Sequence, residues 1–162
     1  MEFPPEMPAE AREAFHRGYE AQMKGRLDEA VEHYRRSIAL HPSAEAHTFL
    51  GWALSAFGRH EDAIAECRTA IAIDPAFGNP YNDIGAYLIE LGQEDEAIEW
   101  LERAKTAPRY EPRHYPYLNL AWIYARQHKV REAIGQLESV IAIEPEHTVA
   151  RKELHRLIGM LN

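Results

Sequence analysis

The sequence predicts an all-α fold made of a row of stacked helical hairpins. Three observations support this prediction. A pattern of small residues and prolines recurs about every 34 residues along the 162-residue chain. Each copy contains two stretches in which apolar residues are spaced three or four positions apart, as on one face of an α-helix. No stretch shows the strict alternation of apolar and polar residues that is typical of a half-buried β-strand.

Equivalent positions can be followed through four consecutive copies. Gly18, Gly51 and Gly85 are separated by 33 and 34 residues, and Ala121 follows after a further 36. The alanines near the start of each second helix keep the same offsets: Ala30, Ala63, Ala97 and Ala133. The longer last interval indicates a two-residue insertion within residues 108–113. A fixed period of this size is typical of solenoids, in which each copy is one structural unit stacked on the next.

The spacing of apolar residues predicts nine helices, over 9–24, 27–40, 44–57, 60–73, 79–91, 94–107, 114–127, 130–143 and 147–160. Glycines at 25, 58 and 92 separate the two helices of the first three copies, where a left-handed residue ends a helix. His128 stands at that point in the fourth copy, so we expect a more strained turn there. Pro80 and Pro116 fall in first helical turns, which tolerate proline. Asn79 is expected to cap the fifth helix.

This pattern resembles the tetratricopeptide repeat family. The segments Asn79–Tyr87 and Tyr117–Tyr124 match the first helix of that repeat, and the acidic residue, alanine and isoleucine at 62–64 and 96–98 match the second. The resemblance implies a right-handed α-solenoid of helix–turn–helix repeats at about 11–43, 44–77, 78–113 and 114–147. Residues 148–160 then form a capping helix. Residues 9–162 are expected to be one domain, preceded by a tail at 1–8.

Composition excludes several classes of function. The net charge of −8 disfavours binding to nucleic acid or to an anionic membrane, because both need surface cations. No apolar stretch approaches the roughly 20 residues that span a bilayer. Cys67 is the only cysteine, so no internal disulfide can form, and its place on an apolar stripe predicts a buried core thiol. We therefore expect a cytoplasmic protein.

The titratable residues show no catalytic or metal-binding pattern. Nine histidines are scattered along the chain, and none stands four residues from another with a carboxylate between them. The acidic run at 94–96 opens a helix, where negative charge favours the helix dipole. Glycine-rich phosphate loops and nucleophile elbows are lacking as well. We therefore expect no enzymatic activity, no catalytic residues, no bound metal and no cofactor.

The tetratricopeptide resemblance implies that the first helix of each copy lines a concave groove. It assigns eleven residues to a peptide-binding surface in that groove: Phe15, Tyr19, Thr48, Phe49, Trp52, Asn82, Asp83, Tyr115, Asn119, Trp122 and Arg126. Aromatic side chains offer a large contact area at low entropic cost, and asparagine can bond both polar groups of a peptide backbone. For Trp52 and Trp122 we give equal weight to a place in the core, because the apolar side chains of a repeat array also pack between neighbouring helices.

These features predict a non-enzymatic scaffold that binds a peptide segment of a partner protein. Copies two and three hold six basic and thirteen acidic residues, so a neutral or basic segment is favoured. Phe15 and Tyr19 stand where relatives that clamp chaperone carboxyl termini would have lysine and asparagine, so that clamp is not expected. Two alternatives stay open. One is a self-associating structural module that forms a homodimer, and the other is a secretion-type chaperone that holds a client protein.

Overall fold

The computed structural model describes residues 3–162 of the chain. This part contains nine α-helices: α1 (Ala9–Met23), α2 (Leu27–Leu40), α3 (Ala44–Ala56), α4 (His60–Ile73), α5 (Asn79–Glu90), α6 (Glu94–Lys105), α7 (Tyr115–Arg126), α8 (Val130–Ile143) and α9 (Thr148–Met160). Every helix lies within two residues of its expected bounds. Within residues 3–162 no β-strand forms, and none of the helices is both long and apolar enough to cross a membrane.

The helices form four antiparallel hairpins followed by one single helix. Each hairpin packs its two helices together, and each second helix packs against the first helix of the next hairpin. The turns inside the first three hairpins hold the expected left-handed glycines, with φ of 72° at Gly25 and 75° at Gly58 and Gly92. His128 adopts φ 59° in the fourth turn, which confirms the strained position, because an L-residue with a Cβ rarely occupies this region.

Small residues let the two helices of a hairpin cross closely. A Cβ on Gly51 would lie 3.0 Å from the backbone oxygen of Ala63 and 3.3 Å from the sulfur of Cys67. A Cβ on Gly85 would lie 2.6 Å from the side chain of Leu101. Ala63 itself is fully buried. The recurring glycines and alanines are therefore required by the distance between the helices rather than by turn formation.

The hydrophobic core runs along the array in sections. A main cluster joins the first three hairpins and includes fully buried Tyr34, whose hydroxyl donates a hydrogen bond of 2.8 Å to Gln22. A second cluster joins the fourth hairpin to α9 through buried Ala150 and Leu157. The opposite side of α9 carries exposed Arg151 and Lys152. This helix therefore covers the last apolar face with a polar exterior, as the end of a solenoid requires.

The two-residue insertion forms an ordered loop that packs back onto the preceding inter-repeat loop. Arg109 donates its backbone N–H to Ala76 over 3.0 Å, and its carbonyl accepts from Gly78 at 2.9 Å. Its guanidinium lies 2.6 Å from Asp74 and 3.0 Å from the fully buried carboxylate of Glu45. Partial burial opposes ionisation of Asp74, but the hydrogen bond and charge of Arg109 outweigh it and lower the Asp74 pKa.

The expectation that Asn79 caps α5 is wrong, and contacts with the same loop explain the difference. Gly78 rather than Asn79 occupies the N-cap position, and Asn79 is the first helical residue. Its side-chain amide instead donates to the carbonyl of Glu111 in the loop, at 3.4 Å. A Cβ on Gly78 would lie 2.5 Å from the Cβ of Tyr110, so the tight packing of the loop requires glycine at this position. Sequence spacing alone could not place this tertiary contact.

We predict that Ala63→Leu destabilises the fold, because a larger side chain cannot fit at the crossing with Gly51. Overpacking of this kind costs about 1–3 kcal/mol, and in a chain of this size each kcal/mol lowers the melting temperature by about 2–4 °C. Thermal unfolding followed by circular dichroism measures the effect. Ala65→Leu, at an exposed position of the same helix, is the control. Equal melting temperatures for the two variants would contradict the packing assignment.

We also predict that Arg109→Met destabilises the protein, because it leaves the buried carboxylate of Glu45 without its cation. Breaking a fully buried pair costs about 3–5 kcal/mol, and we expect about 1–3 kcal/mol here because the Arg109 side chain is 38% exposed. Urea denaturation at pH 7 measures the free energy of unfolding. The Glu45→Gln change should restore part of the loss. Arg113→Met, which removes a cation from the same loop, should have little effect.

Candidate functional site

The first helices of neighbouring hairpins lie side by side along one face of the array. Direct packing contacts join α1 to α3, α3 to α5 and α5 to α7. Side chains that project from this row share one surface even though they are more than thirty residues apart in sequence. This is the surface to which the tetratricopeptide resemblance assigns the concave groove.

A cavity of about 400 Å³ lies in this groove. Its lining comes from three first helices and the insertion loop: Thr48, Phe49 and Trp52 of α3, Asn79, Asn82, Asp83 and Ala86 of α5, Tyr110 and Pro112 of the loop, and Tyr115 and Asn119 of α7. We call it the groove cavity. Seven of the eleven residues assigned to the groove from the sequence meet there.

Four assigned residues lie outside the groove cavity. Phe15 is only 3% exposed and packs against Tyr34 and Phe49, so it belongs to the core rather than to the groove surface. This corrects the expectation for Phe15, whose helix turns that position inward. Tyr19 and Trp122 are partly exposed elsewhere on the first helices, and the guanidinium of Arg126 pairs with Glu94 at 3.0 Å.

Trp52 and Trp122, for which the sequence allows either a core or a groove position, are both partly exposed. Trp52 is 40% exposed and packs its ring edge-on against Phe49, with 5.7 Å between ring centroids. Trp122 is 43% exposed. Neither ring is sealed in the core, and that of Trp52 forms one wall of the groove cavity. Tyr115, 45% exposed, lines the same cavity from α7.

Hydrogen bonds connect the polar side chains of the groove cavity. The amide of Asn119 donates to the side-chain oxygen of Asn82 at 3.0 Å, and the Asn82 amide donates to Asp83 at 3.5 Å. Within residues 3–162 no lysine, arginine or histidine lies within 4.0 Å of the Asp83 carboxylate. Burial raises the pKa of Asp83 to about 7.

Sequence reasoning missed Tyr110 and Pro112, which reach the groove cavity from the insertion loop. A loop between two repeats is not expected to reach the concave face, and the resemblance assigned only first helices to it. The extra two residues at 108–113 were the available signal, because they mark a departure from the repeat. The contacts of Arg109 with the preceding loop explain why this segment folds towards the groove.

A second group of side chains meets where α7, α8 and α9 come together. His114, Glu144 and His147 place potential metal-ligating atoms within 4.8 Å of one another. The Nδ1 of His147 accepts a hydrogen bond from the Ala150 N–H at 3.1 Å and caps α9. The Nδ1 of His114 lies 3.0 Å from the Glu144 carboxylate. These contacts give the two imidazoles structural roles. Burial lowers the pKa of His114 further than the Glu144 charge raises it.

Cys67 is fully buried behind the groove. Burial raises the pKa of its thiol well above the usual value, and the charges of Asp83 and Glu66 raise it further. A thiol held in its protonated form is a poor nucleophile, as predicted for a core residue.

The array and its lined groove define a helical-repeat scaffold, a class of protein whose binding surface is built by stacking. Two family models, both described as Tetratricopeptide repeat, match residues 15–76 and 79–109, together more than half of the chain. The chain belongs to the tetratricopeptide repeat family.

Among curated relatives, Small glutamine-rich tetratricopeptide repeat-containing protein 2 of Mycosarcoma maydis is 35% identical over 71 residues. That match covers 43% of this chain and 20% of the relative, so the chain spans about a fifth of the length of that relative.

Solved structures share the fold. Pseudomonas aeruginosa pilF aligns with a TM-score of 0.86 and 22% identity, over 93% of this chain and 68% of its own. YrrB, described as a TPR protein with an unusual peptide-binding site, aligns with a TM-score of 0.67 and 19% identity, over 93% of this chain and 77% of its own. At these identities the likeness shows the fold alone.

We predict that Asp83→Asn stabilises the protein at pH 8 and has little effect at pH 4. The pKa of Asp83 is higher in the folded than in the unfolded chain, so its contribution to stability is lost as pH rises from about 4 through 7. A gain of about 2–4 °C in melting temperature at pH 8 would correspond to about 1 kcal/mol. Glu99→Gln, which changes an exposed carboxylate on α6, is the control. A gain that is equal at both pH values would contradict the assigned burial of charge.

Proposed function

We propose that this protein is a non-enzymatic interaction scaffold that holds a peptide segment of a partner protein in its concave groove. The observation that carries this proposal is the groove cavity, where side chains from three hairpins and the insertion loop line one volume of about 400 Å³. A volume of this size accommodates one or two side chains of a bound segment. The family supports a protein partner, since its members serve as interaction scaffolds, and YrrB is described as having a peptide-binding site.

The chemistry of the groove cavity suits an extended peptide. Partly exposed Trp52 and Tyr115 offer ring surface that a ligand can cover, and partly exposed aromatic residues contribute strongly to protein interfaces. The linked amides of Asn82 and Asn119 offer polar atoms in the same cavity. In the part of the chain that the structure describes, Asp83 is the one charged residue of the lining, so we expect a neutral or basic segment. The lone buried thiol of Cys67 supports the cytoplasmic location expected from the sequence.

Self-association is the second candidate function. Large apolar side chains are exposed at the C-terminal end, including Val149, Ile158 and Met160. Val149 and Ile158 are nine residues apart and so lie on opposite sides of the α-helix, whereas Val149 and Met160 share a side but are about 17 Å apart along the axis, so the three form no continuous patch. The groove is therefore the better-supported surface. Light scattering of the purified chain at increasing concentration tests for a homodimer, and a strict monomer would remove this candidate.

A chaperone that holds a client would use the same groove, but its ligand would be an unfolded protein rather than a segment of a folded partner. Co-expression with a captured partner distinguishes the two functions. A client becomes soluble only when this chain is present, whereas the partner of a scaffold folds without it.

We predict that Trp52→Ala and Asn119→Ala each weaken partner binding without unfolding the chain. Loss of an interface anchor costs about 1–2 kcal/mol. The partner is first captured from the native cell and identified. Its binding segment is then synthesised with a fluorescent label, and anisotropy gives the dissociation constant for each variant.

Phe57→Ala is the matched control, because it removes an equally exposed aromatic ring that lies outside the groove cavity. Circular dichroism verifies that all variants keep their helices. Unchanged affinity in both groove variants would overturn the proposal.

A further inference from the structure

We propose that the groove cavity is a subsite for one cationic side chain of the bound segment, with arginine preferred over lysine, paired to Asp83 and covered by Trp52 and Tyr115. This inference rests on the proposed function and adds the chemical class of the residue that is recognised. Three independent features of the cavity support it: its charge, the kind of hydrogen-bonding atoms that it offers, and its exposed rings.

The first feature is the carboxylate of Asp83, which has no cation as a partner within residues 3–162. Other acids with restricted exposure in the described range have one, since Arg109 pairs with both Glu45 and Asp74 and Arg126 pairs with Glu94. Among the described residues, no positively charged one lines the groove cavity, and the other ten lining residues are uncharged. A cationic ligand would supply the charge that Asp83 lacks, in a site where solvent screening is reduced.

The second feature is that the cavity offers hydrogen-bond acceptors beside its carboxylate. Asn119 uses its amide N–H to bond Asn82, and Asn82 directs its own amide towards Asp83. Among residues 3–162, this network leaves the second oxygen of the Asp83 carboxylate and the side-chain oxygen of Asn119 without a donor. Guanidinium and ammonium groups are donors only, so they match these acceptors, whereas an anionic side chain would meet like charge.

The third feature is the pair of partly exposed rings, Trp52 on α3 and Tyr115 on α7. A cation within about 6 Å of an aromatic centroid is attracted by the ring, and a planar guanidinium can also stack on it. The protein makes this contact elsewhere, with Arg103 lying 4.5 Å from the Trp100 centroid and Arg109 lying 4.3 Å from that of Phe77. Stacking combined with several donors is the reason for preferring arginine.

Because the charge of Asp83 depends on pH, the proposal can also be tested on the unmodified chain, by measuring its affinity for a cationic segment at different pH values. Its pKa of about 7 means that the carboxylate is mostly neutral at pH 6 and mostly ionised at pH 8. A cation prefers the ionised form, so affinity should rise with pH. The titratable groups that interact with the Asp83 charge are Cys67 on α4, Tyr87 on α5 itself and Tyr110 in the insertion loop. Burial is the main cause that raises the pKa of all three, so they stay neutral over this range.

The test uses the full chain and immobilised pools of random heptapeptides, each pool with one residue type held constant at the central position. Acetylated N-termini and amidated C-termini remove the terminal charges. We expect pools with central arginine to retain the most protein, followed by lysine, and pools with aspartate or glutamate to retain the least. Asp83→Asn should reduce retention on the arginine pool by about tenfold. Glu99→Gln, an exposed carboxylate outside the groove, should leave it unchanged.

The pH series is run on the unmodified chain, and binding to the arginine pool should rise by up to about tenfold from pH 6 to pH 8. The outcomes separate this inference from the proposed function. Retention without a preference for cations, or a preference that survives Asp83→Asn and is independent of pH, overturns the cationic subsite and leaves the peptide groove standing. A failure of every pool to bind the unmodified chain overturns both.

Discussion

The close crossing of the two helices in each hairpin is the constraint on which the rest of the structure depends. At Gly51 and Gly85 there is room for a hydrogen atom but not for a side chain, and buried alanines such as Ala63 face these crossings. Close approach keeps each hairpin thin and lets successive first helices contact one another. That contact aligns residues from α3, α5 and α7 on one surface. Without it, side chains such as Trp52, Asp83 and Asn119 would not share a cavity.

The insertion loop turns an open groove into a partly enclosed one. Arg109 holds the loop against the preceding inter-repeat loop through backbone hydrogen bonds and through Asp74 and Glu45. The loop thereby brings Tyr110 and Pro112 to the cavity wall. A departure from the repeat thus shapes the site, while the repeat itself supplies the framework. This division is expected for solenoids, whose identical units build a generic surface that local insertions can make specific.

The negative charge of Asp83 is unfavourable for the stability of the free protein but would favour the binding of a cation. Burial of a carboxylate without a cation is unfavourable in the free protein, and the raised pKa reports that cost. The same uncompensated charge would be the source of affinity once a cation arrives. Such a conflict between a local rule and the fold is commonly found at functional sites.

The sequence by itself determined the class of fold, the number and approximate bounds of the helices, the left-handed turns and the burial of Cys67. These features are local or periodic. The sequence repeats about every 34 residues the helical spacing of apolar residues, the glycine at a turn and the small residue at a helix crossing. It also assigned seven residues that line the groove cavity. Only the tertiary structure decided that Phe15 points into the core, that Gly78 rather than Asn79 caps α5, and that the insertion loop reaches the groove. Those outcomes depend on contacts between segments far apart in sequence, and such contacts leave no periodic signal in the chain.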